Sequence, residues 1–311
     1  MPASWLSIDD GRATRGLSRP IRVLGFEPVR IALALLATLF LALPARAADY
    51  AGPLVDAHSH LPRASAIGAY AAAARRHHVA RVVLLGVGGV QKDDLAWITA
   101  AGKKYPELVL RGLPLPDPTA DGAAARVDAA LREGRYRAVG EIHLRQISRT
   151  IDRDPGNAAF GAVLDVVARH HVPLVIHYEV TGTSPDALGG ALARHPGAIV
   201  VLAHAGGGKP ERVEELLAQH PNLMVDLSGM HFQRTPALAT ETGPLAPGWK
   251  ALIEKRPDRF MMGIDVWSPR LFEPAMLDRL MAWTRRVLGE LPPAVAEQVA
   301  YRNAAKLYRI E

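Results

Sequence analysis

The 311-residue sequence predicts an α/β protein with a (β/α)8, or TIM-barrel, fold. Eight short apolar runs rich in β-branched residues recur along the chain, and Ala/Leu-rich segments of helical character lie between them. Apolar strands that are nearly continuous, rather than alternating, indicate a parallel sheet covered on both faces. Eight strand–helix units over about 250 residues correspond to a barrel. A doubly wound open sheet is the structural alternative, but no Gly-rich phosphate loop follows the first strand.

Strands and helical segments alternate from residue 54 onward. The predicted strands are LVDAHSH (54–60), ARVVLLGV (80–87), LVLRGLPL (108–115), YRAVGEIHL (136–144), VPLVIHYE (172–179), AIVVLAHA (198–205), NLMVDLS (222–228) and RFMMGID (259–265). The helical segments include AIGAYAAAARRHH (66–78), GAAARVDAALREG (122–134), FGAVLDVVARHH (160–171), PDALGGALARH (185–195) and ERVEELLAQH (211–220). The longest irregular stretch, 229–250, follows the seventh strand, where barrels place functional loops. Because no low-complexity linker interrupts these units, we expect one domain.

The first 47 residues have the pattern of a cleaved signal peptide. Ile31–Leu43 is a strongly apolar run of thirteen residues, short for a membrane span but suited to a signal-peptide core. Arginines precede it, and the small residues Ala45 and Ala47 frame a cleavage point before Ala48. We therefore predict a barrel domain over 48–311 that is periplasmic or secreted. No adjacent Arg-Arg pair precedes the run, which favours the general secretory route. An uncleaved membrane anchor is the alternative.

The charge and the cysteine content limit which partners and which metal ligands the protein can have. The first 47 residues hold six arginines and three acidic residues, so the remainder carries a net charge of +3 rather than the +6 of the whole chain. No basic run or basic–aromatic pattern remains, and we expect no nucleic-acid partner. A membrane is expected only through an uncleaved signal segment. The chain has no cysteine, so disulfides are excluded and any metal must be held by His, Asp or Glu.

The twelve histidines fall into two groups of six. One group ends Ala/Leu-rich helical segments, where histidine is favoured by the helix dipole and can meet the last carbonyls. These residues are His77, His78, His170, His171, His195 and His220. In a barrel they lie at the end opposite the carboxyl ends of the strands, and we predict that they are structural.

The second group lies at the carboxyl ends of strands, where barrel sites gather. Asp56, His58 and His60 alternate along the first strand and therefore share one face. Histidines and acidic residues also end or follow strands 4 to 8: Glu141 and His143 (strand 4), His177 (strand 5), His204 (strand 6), His231 (after strand 7) and Asp265 (strand 8). Imidazoles and carboxylates converging from separate strand ends predict a metal centre.

From the first strand onward the chain resembles the amidohydrolase superfamily of metal-dependent hydrolases. The matching motifs are DAHSH, VGEIHL, VIHYE, LAHAGGG, GIDVW and the ending RNAAKLY. The resemblance implies that His58, His60 and Asp265 bind one metal. It also implies that His177 and His204 either hold a second metal or share binding and transition-state roles.

The motifs do not all resemble the same branch of the superfamily. VGEIHL looks like the motif of TatD-type deoxyribonucleases, whose glutamate, here Glu141, can bridge two metals. Those proteins usually carry Glu-Thr-Asp at strand 8, where this chain has Gly263, Ile264 and Asp265. LAHAGGG and GID look more like the amidohydrolase-related branch, which includes lactonases, other hydrolases and decarboxylases.

The ligand set indicates hydrolytic chemistry. Neutral imidazoles and carboxylates suit Zn²⁺, with Mn²⁺ or Fe²⁺ as alternatives, and one or two ions are compatible with the set. Asp265 is the predicted general base, and His204 is predicted to orient the water or to stabilise the oxyanion. His143, His231 and Arg234 are predicted to contact the substrate.

These observations predict an exported metal-dependent hydrolase that acts on a small ester, lactone or amide. One alternative is a metal-dependent decarboxylase of the same fold, against which the signal segment weighs. A TatD-like phosphodiesterase is another. A non-enzymatic metal- or ligand-binding protein is a third, and it would not need an acid at position 265. The sequence leaves open whether the chain forms a homo-oligomer.

Overall fold

The computed structural model describes residues 48–311 of the chain, and the predicted signal peptide lies outside these residues. Eight strands form the sheet. They are β1 (Leu54–Ser59), β2 (Val79–Leu84), β3 (Val109–Leu113), β4 (Ala138–Gln146), β5 (Leu174–Tyr178), β6 (Val200–Leu202), β7 (Leu223–Asp226) and β8 (Phe260–Met261). A two-residue strand, Ile151–Asp152, pairs antiparallel with the end of β4 and lies off the main path.

The eight strands are parallel and are hydrogen-bonded in chain order from β1 to β8. Backbone hydrogen bonds between β1 and the segment after β8 nearly close the sheet. The amide of Ala57 donates to the Met262 carbonyl, and the amide of Asp265 donates to the His58 carbonyl. The predicted (β/α)8 barrel is therefore confirmed.

Helices follow the strands and cover the outside of the barrel. They are α1 (Ile67–Arg76), α2 (Asp94–Lys104), α3 (Ala123–Leu131), α4 (Ala158–His170), α5 (Ser184–Arg194), α6 (Pro210–Gln219), α7 (Pro247–Lys255), α8 (Pro274–Gly289), α9 (Pro293–Glu297) and α10 (Asn303–Tyr308). A π-helical turn, Gln298–Arg302, joins the last two. Within residues 48–311, no helix is long and apolar enough to cross a membrane.

Two apolar layers hold the barrel together. Inward side chains of the strands fill the interior and are mostly small or β-branched: Val55, Ala57, Val83, Leu85, Ala138, Val175, Val201, Ala203 and Met261. Helix α10 closes this layer with Ala304 and Tyr308. The larger layer lies between the sheet and the helices. Both faces of each strand are therefore buried, which explains the nearly continuous apolar runs in the sequence.

Most strands end one to four residues before the predicted run does, and two of these early ends lie next to site residues. The run 198–205 contributes only Val200–Leu202 to β6, because His204 and Ala205 have φ values of 55° and 51°. The run 259–265 contributes only Phe260–Met261 to β8, and Asp265 has a φ of 57°. Residues in the left-handed region cannot continue a strand. His204 and Asp265 therefore lie beyond the regular strands, in the connections at the carboxyl end of the barrel.

The six histidines predicted to be structural lie at or next to helix carboxyl ends. Three of them pair with separate aspartates: His77 Nε2 lies 2.9 Å from Asp278 Oδ1, His170 Nε2 lies 2.8 Å from Asp128 Oδ1 and His195 Nδ1 lies 2.7 Å from Asp165 Oδ1. Each pair joins two helices, a local arrangement that does not involve the opposite end of the barrel.

Candidate metal centre

Five strands, or the segments that directly follow them, bring six polar side chains to one place at the carboxyl end of the barrel. The candidate metal centre consists of His58, His60, Glu141, His177, His204 and Asp265. Potential ligand atoms of His58, His60 and Asp265 lie within 4.8 Å of one another, and the same holds for His58, Glu141 and His204. Glu141, His143 and His177 form a third such group. All six residues predicted as ligands therefore meet in the structure, together with His143, although they span more than 200 positions in the sequence.

Three of the histidines are held in the same way, by the Nδ1 side of the ring. His58 Nδ1 lies 2.9 Å from Asp226 Oδ2. His60 Nδ1 lies 3.0 Å from the Leu85 carbonyl oxygen, and His204 Nδ1 lies 2.9 Å from the Ser228 carbonyl oxygen. Carbonyl and carboxylate oxygens accept hydrogen bonds, so Nδ1 carries the proton in all three rings. Each neutral ring therefore presents an Nε2 lone pair.

The Nε2 lone pairs point at other hydrogen-bond acceptors. This arrangement is the one expected around a metal ion. His58 Nε2 and His60 Nε2 lie 3.1 Å apart. His204 Nε2 lies 3.2 Å from Glu141 Oε1. Two lone pairs at such distances repel each other unless a cation lies between them. Histidines whose second nitrogen is fixed by an acceptor are the usual arrangement around a bound metal ion.

Glu141 lies at the middle of the cluster, and its two oxygens face different histidines. Oε2 is 3.5 Å from His60 Nε2, 3.7 Å from His58 Nε2 and 3.1 Å from His143 Nε2. Oε1 is 3.0 Å from His177 Nδ1 and 3.2 Å from His204 Nε2. The carboxylate therefore separates the first-strand pair from the histidines of β5 and β6. A carboxylate in that position has the geometry to face one ion or to bridge two.

Asp265 completes the first-strand side of the centre. Its Oδ1 lies 3.5 Å from His60 Nε2, and its Oδ2 accepts a hydrogen bond from Arg234 Nη1. Gly229, with a φ of 65°, leaves room for this pair, because a Cβ there would lie 2.5 Å from Arg234 Nη1 and 2.7 Å from Asp265 Oδ2. One oxygen of Asp265 thus faces the centre and the other is fixed by a guanidinium.

The buried charges of this site are not balanced by protein cations alone. Glu141, Asp226 and Asp265 are at most 2% exposed. Among residues 48–311, Arg234 is the one permanent cation in contact with these carboxylates. Two negative charges are left over, which equals the charge of one divalent ion. Buried charges without compensation are costly, so the charge count agrees with the lone-pair geometry.

The pKa values of His58 and His204 reflect the same excess of buried negative charge. Burial lowers the pKa of His58, but the carboxylates of Asp226 and Glu141 outweigh it and raise that pKa well above its ordinary value. Burial likewise lowers the pKa of His204, and Asp265 and Glu141 raise it overall. Protons on these two rings would supply the missing positive charge. A divalent ion and these protons therefore compete for one site.

His60 behaves differently from its neighbours. Burial and the charge of His58 lower the pKa of His60 to about 4. Burial raises the pKa of Asp265, but the positive charges of His204 and Arg234 outweigh it, so the pKa is lowered. A neutral imidazole beside an ionised carboxylate is the protonation state that metal binding requires.

The three residues predicted to contact substrate take three different positions. His143 is 2% exposed and packs against Glu141 beneath Gly88, whose Cβ, if present, would lie 2.4 Å from the His143 ring. His231 is 3% exposed and accepts a hydrogen bond at Nδ1 from the Gln233 amide, so its Nε2 carries the proton and has no partner among residues 48–311. Arg234 lines a cavity beside the centre.

That cavity has a volume of about 290 Å³ and opens over the β4 to β7 side of the barrel. His177 and His204 form its inner wall, so it reaches the candidate metal centre directly. Its polar lining includes Gln146, Ser148, Glu179, Thr181, Arg234 and Thr235. The cavity is small, near the lower end of the range of about 300 to 1,000 Å³ that is typical of ligand pockets.

Two site residues were not assigned from the sequence. Asp226 ends β7, is 0% exposed and accepts hydrogen bonds from His58 Nδ1 and from the amides of His204 and Ser228. Its signal was available, since it is an acid that ends an apolar strand, as Asp265 does. Glu179 lines the cavity, and its Oε1 lies 4.0 Å from His177 Nε2. Its signal was also available, because Glu179 is the last residue of the predicted fifth strand, VPLVIHYE.

Comparison with known proteins gives the following matches. Residues 42–310 match the family model described as amidohydrolase. No curated protein matches the sequence at a significant level. Among solved structures, an amidohydrolase from Burkholderia multivorans is 17% identical. The alignment covers 84% of this chain and 100% of that one, with a TM-score of 0.58.

Two further solved structures represent different chemistry on the same fold. The 5-carboxyvanillate decarboxylase from Sphingomonas paucimobilis is 14% identical, with 83% of this chain covering 99% of that one at a TM-score of 0.56. A protein described as a probable 2-pyrone-4,6-dicarboxylic acid hydrolase from Acinetobacter baumannii is 13% identical, with 83% and 99% covered at a TM-score of 0.59. At these identities the likeness shows the fold alone.

Proposed function

The chain belongs to the amidohydrolase family, and on that premise we propose that it is a metal-dependent hydrolase that directs water at a small ester, lactone or amide. The observation that carries the proposal is the set of three imidazoles, each fixed through Nδ1–H, whose Nε2 lone pairs converge with Glu141 and Asp265. Such a set is suited to hold a divalent ion firmly while leaving a side open to the adjacent cavity.

His58, His60 and Asp265 would hold the tighter ion, with Glu141, His177 and His204 available for a weaker second one. When bound, the metal supplies Lewis acidity, which makes water a stronger nucleophile at neutral pH and polarises a carbonyl or phosphoryl oxygen. Zn²⁺ is the proposed ion, because imidazole and carboxylate ligands without thiolates suit it, and Mn²⁺ or Fe²⁺ would fit the same ligands.

Asp265 is the proposed general base. Its pKa is lowered in spite of burial, so it is ionised at neutral pH and can accept a proton from the attacking water. Arg234 keeps the carboxylate oriented by binding Oδ2, which leaves Oδ1 towards the centre. After the scissile bond breaks, Asp265 would return the proton to the leaving oxygen or nitrogen.

His204 and His231 are the proposed contacts of the reacting group. His204 forms part of the cavity wall, with its Nδ1 fixed on Ser228, so its ring is held where a substrate carbonyl would enter. His231 offers a buried Nε2–H without a partner in the described part of the chain. A donor that is already desolvated can bind an oxyanion without a further desolvation free energy during the reaction.

The size and charge of the cavity support a small, polar, non-nucleic substrate. A volume of about 290 Å³ holds one small molecule rather than a polymer segment. Its lining combines Glu179 with an arginine that already pairs with Asp265, so no free cluster of cations awaits a phosphodiester backbone. A TatD-like nuclease is therefore the less favoured function.

The test is a screen of the metal-loaded protein against lactones, esters, amides, phosphodiesters and aromatic carboxylic acids. Reaction in water labelled with heavy oxygen should place the label in the acid product of an ester, lactone or amide, and His58→Ala should abolish it. Release of carbon dioxide from an aromatic acid, without incorporation of label, would establish a decarboxylase instead and overturn the proposal. Cleavage of phosphodiesters alone would overturn it in favour of the TatD-like function.

We also propose that the chain is exported. Support comes from the apolar run Ile31–Leu43 and the small residues Ala45 and Ala47 that follow it. Protein recovered from the cell envelope of a bacterial host should begin at or near Ala48 by intact mass measurement. Recovery of the uncleaved chain as soluble cytoplasmic protein would contradict export.

A further inference from the structure

A second cavity, of about 400 Å³, lies at the opposite end of the barrel from the candidate metal centre. It opens where β5 and β6 begin, at Pro173 and Ile199, between the end of α4 and the closing helix α10. The amino ends of the strands in a barrel usually serve stability rather than catalysis. A cavity larger than the one beside the metal centre is therefore not explained by the proposed reaction.

The inner wall of this cavity is apolar. Val172, Pro173, Ile199, Met224 and Leu307 contribute to it. Met224 and Leu307 also pack against the interior layer of the barrel, so the cavity ends on a rigid surface. Ile199 is 41% exposed, although it immediately precedes a buried strand. An apolar group in this cavity would cover that side chain and gain the free energy of burying it.

The rim of the cavity carries an excess of positive charge. Lys306 and Arg309 lie on it, together with the single acid Asp258. Arg309 Nη2 donates to the carbonyl oxygens of His170 and His171, which are neutral acceptors and leave its charge uncompensated. Within residues 48–311, no carboxylate lies within 4.0 Å of the Lys306 or Arg309 head group. Two permanent cations therefore face the mouth of an apolar cavity against one carboxylate.

We propose that this cavity binds a small amphiphilic carboxylate, with the apolar body against Ile199 and Leu307 and the carboxylate at the rim beside Lys306 and Arg309. The volume lies within the range of about 300 to 1,000 Å³ in which small-molecule sites fall. Apolar contact supplies the affinity, and the two cations select the sign of the charge. The site is separate from the candidate metal centre and does not depend on the proposed reaction.

The probe for the test is octanoate, with octylammonium as the probe of opposite charge. Titration calorimetry on the metal-loaded full chain should give a dissociation constant for octanoate of roughly 0.1 to 5 mM, as expected for so small a ligand. Octylammonium should bind at least about fivefold more weakly, since it meets two cations at the rim. Equal or tighter binding of octylammonium would overturn the proposal.

Three variants locate the binding. Ile199→Glu places a carboxylate in the apolar wall and should weaken octanoate by at least about tenfold. Lys306→Gln should weaken it by about three- to fivefold. Leu95→Glu is the matched control, because Leu95 is a similarly exposed aliphatic residue, 46% exposed, on helix α2 and outside this cavity.

All three replaced side chains are exposed or at the rim, so the variants should keep the parent's unfolding temperature. Unchanged octanoate affinity in Ile199→Glu, or an equal loss in Leu95→Glu, would show that octanoate binds elsewhere and overturn the assignment. Because hydrolysis is measured separately on the same variants, failure of this site leaves the proposed reaction untouched, and the reverse also holds.

Discussion

The two ends of the barrel use the same residue type in opposite ways. At the helix ends, His77, His170 and His195 each meet one aspartate of a neighbouring helix and, within residues 48–311, no other ring. At the strand ends, His58, His60 and His204 are fixed through Nδ1, and their Nε2 atoms converge. The difference shows that the identity of a residue does not determine its chemistry. What matters is whether its second nitrogen is satisfied locally or turned towards a shared point.

The sharpest test of this contrast is to remove one strand-end residue. His58→Ala or Asp265→Asn should lower turnover by more than about 10³-fold, because each change removes a ligand and leaves the other buried charges uncompensated. Metal content, measured by elemental analysis, should fall with activity. Turnover near the parent level in either variant would mean that the centre has been wrongly placed.

The next largest effect is expected at Asp226. Its Oδ1 accepts hydrogen bonds from the amides of His204 and Ser228, and its Oδ2 accepts one from His58. In Asp226→Asn the amide oxygen must keep the two backbone donors, so the NH₂ group faces His58 Nδ1. His58 would then carry its proton on Nε2, the nitrogen needed as a ligand. Metal affinity should fall by about 10- to 100-fold.

The matched control for Asp226 lies at the other end of the barrel. Asp278 is also the aspartate partner of a histidine, but it meets Nε2 of His77 rather than Nδ1, and it accepts hydrogen bonds from Arg76 as well. Asp278→Asn should leave metal affinity unchanged in a competition titration with a coloured chelator. An equal loss in both variants would indicate a general effect on folding rather than on the tautomer of His58.

The pH dependence of metal binding should distinguish the two ends as well. The pKa values of His58 and His204 are raised, so both rings hold protons at lower pH and must lose them when an ion binds. Metal affinity should therefore rise with pH, by about 10- to 100-fold per unit below the point where both rings have titrated. The curve, measured by calorimetry, should be identical in His195→Ala. A metal affinity that does not vary with pH would contradict the competition.

Glu141 lies between the two halves of the centre, so its replacement should affect the metal content of one half more than that of the other. Glu141→Gln keeps the shape but weakens the oxygen that faces His177 and His204. We expect metal content to fall by no more than the weaker ion, leaving about one per chain. Loss of all metal would show that Glu141 is essential to the tighter site. Two ions at full occupancy would show that it bridges nothing.

The smallest effect is expected at the helix ends. His195→Ala removes one hydrogen bond with Asp165, whose side chain is 60% exposed, and His220→Ala removes a helix-end ring. Exposed pairs contribute at most about 1 kcal/mol, so the unfolding temperature should change little. Turnover and metal content should stay near those of the parent. Loss of activity here, with activity kept in His58→Ala, would reverse the division between the two ends.

The barrel and the set of residues at its carboxyl end follow from the pattern of the sequence. Apolar runs of strand length, alternating with helical segments, indicate a parallel sheet with both faces covered, and eight such units favour a barrel, in which strand order follows chain order. Because all strands point the same way, polar residues at their ends must meet. His58, His60, His177, His204 and Asp265 could therefore be identified without knowledge of any contact.

How these residues act together depends on contacts between distant parts of the folded chain. The acceptor that fixes the tautomer of His58 is Asp226, 168 positions away, and no local pattern relates the two. The left-handed backbone at His204 and Asp265, the two directions of the Glu141 oxygens and the pairing of Arg234 with Asp265 likewise depend on register and on loop geometry. A periodic pattern specifies which face of a strand is buried. It does not specify which atom of one strand end lies within 3 Å of another, because that distance is set by the packing of the whole barrel.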